Sequence, residues 1–270
     1  MKKRIIILGT TLTILSVLFF GFTKLTINNP ETLTTVATNE AVMENNVYVG
    51  PYLNPLPNLY YGVDARFAPV KKADVLNAKS IYDFLNEGEK DQIITIKSVN
   101  LTVIKDNQLS ELQALGTTAK LTKAQIKLLK SMDYFNHFTI RTEFRGKNME
   151  TGIIEDKFFG PHITIVPNQQ AAYSEGKEAL LNYFKDNSRN VMNIITDNKI
   201  NALKISFIIN KEGKVTNVKH DAMSTGYPKI DAKFMELVKN IPGQWIPAQN
   251  ANGEKMNQEL VFTFGPTDGC

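Results

Sequence analysis

The sequence predicts an α+β fold in four parts. These are an N-terminal transmembrane helix over residues 1–24, a tether over 25–79, a small α+β region over 80–167 and a C-terminal ββαβ domain over 168–270. Three observations carry this reading. An apolar run opens the chain, a Pro- and Tyr-rich stretch without periodicity follows it, and alternating and helix-spaced apolar runs then interleave to the end. With 270 residues, 43% of them hydrophobic and 21% charged, the chain has the composition of a folded protein with real cores.

In the first part, "MKKR" precedes Ile5 to Phe22, about 18 uncharged residues, near the lower limit for a helix that spans a bilayer. "FFGFTKLT" offers no small-residue cleavage pattern, so the run reads as a retained anchor rather than a cleaved signal peptide. Lys2, Lys3 and Arg4 then stay cytoplasmic, which makes the chain a single-pass inner-membrane protein with its C-terminal domain in the periplasm. These three cations take up three of the formal net charges of +4, leaving +1 for the rest. Charge therefore gives no argument for a nucleic-acid partner. The one cysteine, Cys270, has no partner in the chain, which excludes an internal disulfide and a Cys-based metal site.

The second part carries Pro51, Pro55, Pro57 and Pro69 among Tyr48, Tyr52, Tyr60 and Tyr61, and reads as an arm or semi-rigid spacer. In the third, Ile93 to Ile104 is rich in β-formers. "LTKAQIKLLKSM" is a short helix with Thr122 as N-cap, Gln125 three residues on, and Ile126, Leu129 and Met132 on one face. His137 to Phe144 alternates as a strand, "RGKN" reads as a turn, and His162 to Val166 is another strand.

The fourth part is the most regular. Ser174 is placed to cap a helix that buries Leu180, Leu181 and Phe184. In "ALKISFIIN" the residues Leu203, Ile205, Phe207 and Ile209 share a face; "NKEG" turns the chain and "KVTNVKH" returns. "KIDAKFMELVKN" spaces Ile230, Phe234, Leu237 and Val238 at helical intervals. Pro242 ends that helix, and Pro247 keeps the chain extended beyond Trp245. The sole tryptophan can then close the core, burying up to roughly 200 Å2. Asn252 and Gly253 supply the turn into the last strand, whose apolar face Gln258 interrupts.

A catalytic inventory comes out empty. The three histidines, His137, His162 and His220, sit in separate segments with no metal-ligand spacing. Ser174 and Ser224 lack a nucleophile setting, no phosphate-binding loop exists, and no carboxylate lies inside an apolar run. The expectation is a non-enzyme without metal or cofactor that acts by binding. Its last run, Lys255 to Phe264, is the candidate open edge for an added peptide strand. Asn257, Gln258, Glu259, Leu260, Val261, Phe262 and Thr263 are its candidate contact residues.

These motifs, in this order, resemble the C-terminal domain of TonB-type energy transducers, in the form found in the Bacteroidetes. "FIINKEGKVTNV" is similar to that family's hairpin; Pro242, Trp245, Pro247 and Ala248, with the Asn252–Gly253 turn, are similar to its P-x-x-W-x-P-A element and closing strand. The resemblance covers about Ala202 to Phe264, and back to about Ile165 through "VPNQQAAYSEGKEALLNYFKDN". It implies strand addition of a box peptide from a TonB-dependent outer-membrane receptor, and transduction of proton-motive energy from ExbB/ExbD-like motor proteins for nutrient uptake. Three features depart from the family. Ser16 in the anchor is followed by Phe20 where the pattern has histidine, no long Pro-Lys/Glu-Pro rod exists, and "RNVMNIITDNK" replaces the usual Tyr-Pro. The alternative is a membrane-anchored structural or assembly protein of the cell envelope that uses the same fold as a scaffold.

Overall fold

The computed structural model describes residues 58–196, 199–221 and 223–267. Among these, strand (42%) outweighs helix (25%). The chain enters as β1 (Leu59–Asp64), then β2 (Ala68–Lys71) and α1 (Lys72–Asn77), so its last tether residues are ordered elements. A 3-10 turn at Ile81–Phe84 and the one-turn α2 (Glu87–Lys90) follow, both closed by capping boxes. Then come β3 (Ile93–Lys105), β4 (Gln108–Gly116), α3 (Lys123–Ser131), β5 (His137–Lys147), β6 (Ile154–Phe159) and β7 (His162–Val166).

These build a six-stranded sheet in the order β2-β7-β5-β3-β4, with β6 sharing one flank of β5 with β7. Val99, Leu101, Phe138, Ile140, Ile163 and Ile165 turn to one face and pack with Val75, Ile81, Leu121 and Leu129 from the helices and turns. The capping box holds α3 on this sheet as its sequence predicts: Gln125 N donates to Thr122 Oγ1 (3.2 Å) and Thr122 N to Gln125 Oε1 (2.9 Å). Gln125 Nε2 donates onward to Val99 O (3.1 Å), tying the helix start to β3. The predicted "RGKN" turn lies elsewhere. Strand β5 runs on to Lys147, because Gly146 fits where a Cβ would strike Gln92 O and the Phe144 ring. The turn falls at Asn148, whose Oδ1 accepts from the N–H groups of Glu150 and Thr151.

The second half holds β8 (Ala172–Tyr173), α4 (Lys177–Met192), β9 (Leu203–Ile209), β10 (Val215–His220), α5 (Pro228–Lys239), β11 (Trp245–Ile246), β12 (Ala248–Gln249), β13 (Lys255–Met256) and β14 (Gln258–Pro266). Helices α4 and α5 cover one face of a four-stranded sheet ordered β1-β14-β9-β10. Its core is aromatic: Phe234 lies 4.4 Å from Phe264 and 5.0 Å from Phe262, and Phe184 4.3 Å from Phe262. All four residues that helical spacing assigned to the buried face of α5 are buried. Ser174 caps nothing. Pairing of Tyr173 with Trp245 keeps the chain extended there, and α4 starts only after Gly176 (φ +90°).

The expected fold is therefore corrected in three places. The middle region contributes five strands, β3 to β7, to a six-stranded sheet that β2 of the tether completes, so strand outweighs helix, and the terminal ββαβ set carries a fourth strand from residues 59–64. The predicted anchor at 1–24, with Ser16, lies outside the described residues. No helix among the described residues is long and apolar enough to cross a membrane, so a single-pass inner-membrane placement is not supported.

Candidate functional site

The candidate site is β14 and its flanks. On one flank β14 pairs antiparallel with β9 from Gln258↔Ile209 to Phe264↔Leu203. On the other it pairs with β1 from Val261↔Asp64 to Pro266↔Leu59. The predicted edge is thus an interior strand. Asn257 lies just before it, its Oδ1 accepting from Lys211 N (3.1 Å). Leu260 and Phe262 enter the helix-side core, and Val261 is buried on the opposite face. Val261, Phe262 and Thr263 have a strand on each side. For Val261, Phe262 and Thr263 the expectation of a flank open to a visiting strand is corrected on this ground, whereas Gln258, Glu259 and Leu260 pair with β9 alone. The occupant is β1, whose segment is about 200 residues distant in sequence.

Beyond Asp64 strand β1 leaves, and side chains take over the flank. Gln258, fully buried, accepts from Ala171 N through Oε1 (2.7 Å) and donates through Nε2 to Gln170 Oε1 (3.1 Å). Glu259 meets the guanidinium fork of Arg66, which donates through Nε (3.2 Å) and Nη2 (2.8 Å). The same guanidinium donates through Nη1 to Asp221 Oδ2 (2.6 Å) and Asn107 Oδ1 (2.9 Å), while Asn107 Nδ2 donates to Asp221 Oδ1 (3.2 Å). Asn107 is held out by the β3–β4 turn, where Asp106 and Asn107 both have positive φ. Arg66 thereby joins β14, the segment after β10 and the tip of the other sheet. Its hydrogen bond with Glu259, and then that with Asp221, push its pKa up against the opposing effect of burial. The guanidinium stays charged at any working pH.

The structural motif residues form a lid. Trp245 is 6% exposed, edge-on to Tyr173 (5.5 Å) and Phe207 (6.0 Å). Pro242 O accepts from the Tyr173 hydroxyl (2.8 Å), and Ala248 is buried. Asn252 and Gly253 (φ +78°) turn β12 into β13, with Asn252 N donating to Asn250 Oδ1 (2.9 Å). Gly213 (φ +74°) of the "NKEG" turn sits against the Trp245 backbone, accepting from Trp245 N (3.2 Å), with no room for a Cβ beside Trp245 O.

The histidines stay apart from these motifs. His137 Nδ1 lies 3.0 Å from Thr164 Oγ1, with Phe67 edge-on to its ring; burial lowers its pKa, Glu259 opposing and Arg66 adding to the effect. His162 Nδ1 lies 3.2 Å from Gly160 O, and His220 lies 3.9 Å from Asp231. No group of three or more His, Cys, Asp or Glu among the described residues is placed to hold a metal ion.

Of the two outer strands, β10 is interrupted. Its register shifts between Thr216 and Lys219, with Asn217 at φ +51°. Strand β1 pairs without a break over six residues and, among the described residues, carries no strand on its outer side. Sequence places β1 only within an arm or semi-rigid spacer and gives Arg66 no role. Their signal was faint: "LYYGVDARF" is a proline-free stretch between Pro57 and Pro69. No family model, curated protein or solved structure matches the chain.

Proposed function

We propose that this protein is a non-catalytic binding module of the TonB kind, which takes up an extended partner peptide by adding it as a strand to the outer edge of β1. The observation that carries the reading is the contrast between the two edges of the four-stranded sheet. A bulge with a left-handed residue blunts β10, whereas β1 offers six residues in unbroken register. Main-chain hydrogen bonds supply affinity in such a joint, and alternate side chains supply the choice of partner. The resemblance supplies the partner, a box peptide of a TonB-dependent receptor, and the role, relay of a pull from an ExbB/ExbD-like motor. Bonds loaded in shear along a strand carry force together, so no covalent chemistry is needed.

The test is calorimetric titration of the full chain with a receptor box peptide and with the same peptide N-methylated at alternate amides. Strand addition predicts binding by the first and its loss with the second, since methylation removes donors and leaves the side chains. Equal binding of both peptides, or of neither, overturns the reading.

A second reading, an assembly scaffold, is favoured by one surface. Met149, Ile153, Ile154 and Phe158 on the β5–β6 hairpin, with Ile94 beside it, are all more than half exposed. Crosslinking in cells from Phe158 that captures a stable envelope component, with no receptor captured from Tyr60, supports the scaffold over the transducer.

A further inference from the structure

Strand β6 lies along the outer part of β5 and keeps unbroken register with it, from Thr142↔Phe159 to Lys147↔Ile154. It carries neither the proline nor the bulge that commonly protects an edge. Instead it holds apolar side chains in the open: Ile154 is 51% exposed, Phe158 60% and Ile153, just before the strand, 63%. Alternation puts Ile154, Asp156 and Phe158 on one face and Glu155, Lys157 and Phe159 on the other. Asp156 is paired with Lys97 of β3 (2.6 Å).

We propose that β6 is a self-association edge, which pairs antiparallel with β6 of a second copy of this chain about a two-fold axis at Asp156. Such an axis stands perpendicular to the joined sheet and keeps each face on its own side. Only residues of the same face can then lie opposite one another, so the axis must pass at a residue. Centred on Glu155 or Lys157, the pairing sets a like charge against itself and places Asp156 opposite Ile154 or Phe158. Centred on Asp156, it places Glu155 opposite Lys157 and Ile154 opposite Phe158, each twice by symmetry. The one like-charge encounter is then Asp156 with itself, and Lys97 neutralises each of those carboxylates. Opposite charges and apolar pairs set directly across are the stabilising combinations of an antiparallel ladder. The charges of β6 thus fit a second β6, in one register.

The test exchanges charges across the axis. Glu155→Lys and Lys157→Glu each set like charges opposite one another when the variant pairs with itself, and opposite charges when the two variants are mixed. Sedimentation velocity of the full chain over a range of concentrations is expected to show a reversible dimer. Either variant alone is expected to self-associate about tenfold more weakly, and an equimolar mixture to regain the dimer. Recovery on mixing also shows that both variants fold. A second measurement reads the register. In a Cys270→Ser background, Asp156→Cys is expected to crosslink two copies under mild oxidation, because a residue at the axis meets itself within disulfide reach. Leu112→Cys, on the exposed strand β4, is expected to stay reduced. Four results overturn the inference: a monomeric parent, variants that associate as the parent does, a mixture that stays monomeric, or equal crosslinking at positions 156 and 112.

Discussion

Gln258 interrupts the apolar face of the last strand, and in the fold it is a buried amide that holds the chain at Gln170 and Ala171. Its replacement by leucine conserves bulk but leaves Ala171 N without its acceptor. Gln258→Leu is expected to lose about 1–3 kcal/mol of stability by urea denaturation, the cost of a stranded buried donor. Gly213 is constrained twice, by its left-handed backbone and by the Trp245 carbonyl against it. Gly213→Ala is expected to cost about 1–3 kcal/mol from the backbone alone, and to shift the Trp245 emission as the lid is displaced. An unchanged melting temperature and emission maximum in that variant would contradict the packing described.

Strand β1 is the element that decides how the C-terminal sheet presents itself. It buries Val63, and Tyr61 meets the rings of Phe264 (5.0 Å) and Phe234 (6.0 Å). Its removal exposes a flank of β14 and part of the core together. Val63→Pro removes an amide donor and a buried side chain in one step, and is expected to cost about 3 kcal/mol. Hydrogen exchange then reads which pairings survive. Protection should fall over Val261–Pro266 where those amides face β1, and persist where β14 pairs with β9. Uniform loss of protection along β14 would mean that β1 is integral to the sheet rather than a strand laid on it.

At the scale of the molecule, the Arg66 cluster links the two sheets through Glu259, Asp221 and Asn107. Arg66→Ala leaves the Asp221 and Glu259 carboxylates, 10% and 31% exposed, without their shared guanidinium and is expected to cost about 1–3 kcal/mol. The loss should appear as two separated urea transitions where the parent shows one. A pH effect arises at the same junction. Burial holds the pKa of His137 below its ordinary value, so the unfolded chain binds a proton there before the folded one does. The stability from neutral His137 is therefore complete above the unfolded value near 6.5. It is lost as pH falls from there toward the lowered folded value. Unfolding measured between pH 7.5 and 5 should show a steeper decline for the parent than for His137→Gln, and parallel profiles would remove His137 as the cause.

The local elements were legible because local physics makes them. Helical spacing in α5, the Thr122–Gln125 box and the hairpin turn at Gly213 need only neighbours a few residues apart, and the fold keeps all three. The Trp245 lid was legible for the same reason, since two prolines hold the chain extended on either side of it. Strand order was not. Whether β14 is an edge depends on a six-residue segment far upstream whose pairing leaves no periodicity around β14 itself. The start of α4 moved from Ser174 to Gly176 because Tyr173 pairs with a strand some 70 residues on. Sequence by itself determined the regular elements of the C-terminal half and the buried face of α5, through propensity, capping and spacing. Tertiary structure alone decided which edges stay open and where Arg66 finds its carboxylates, because these join segments whose encounter no local pattern records.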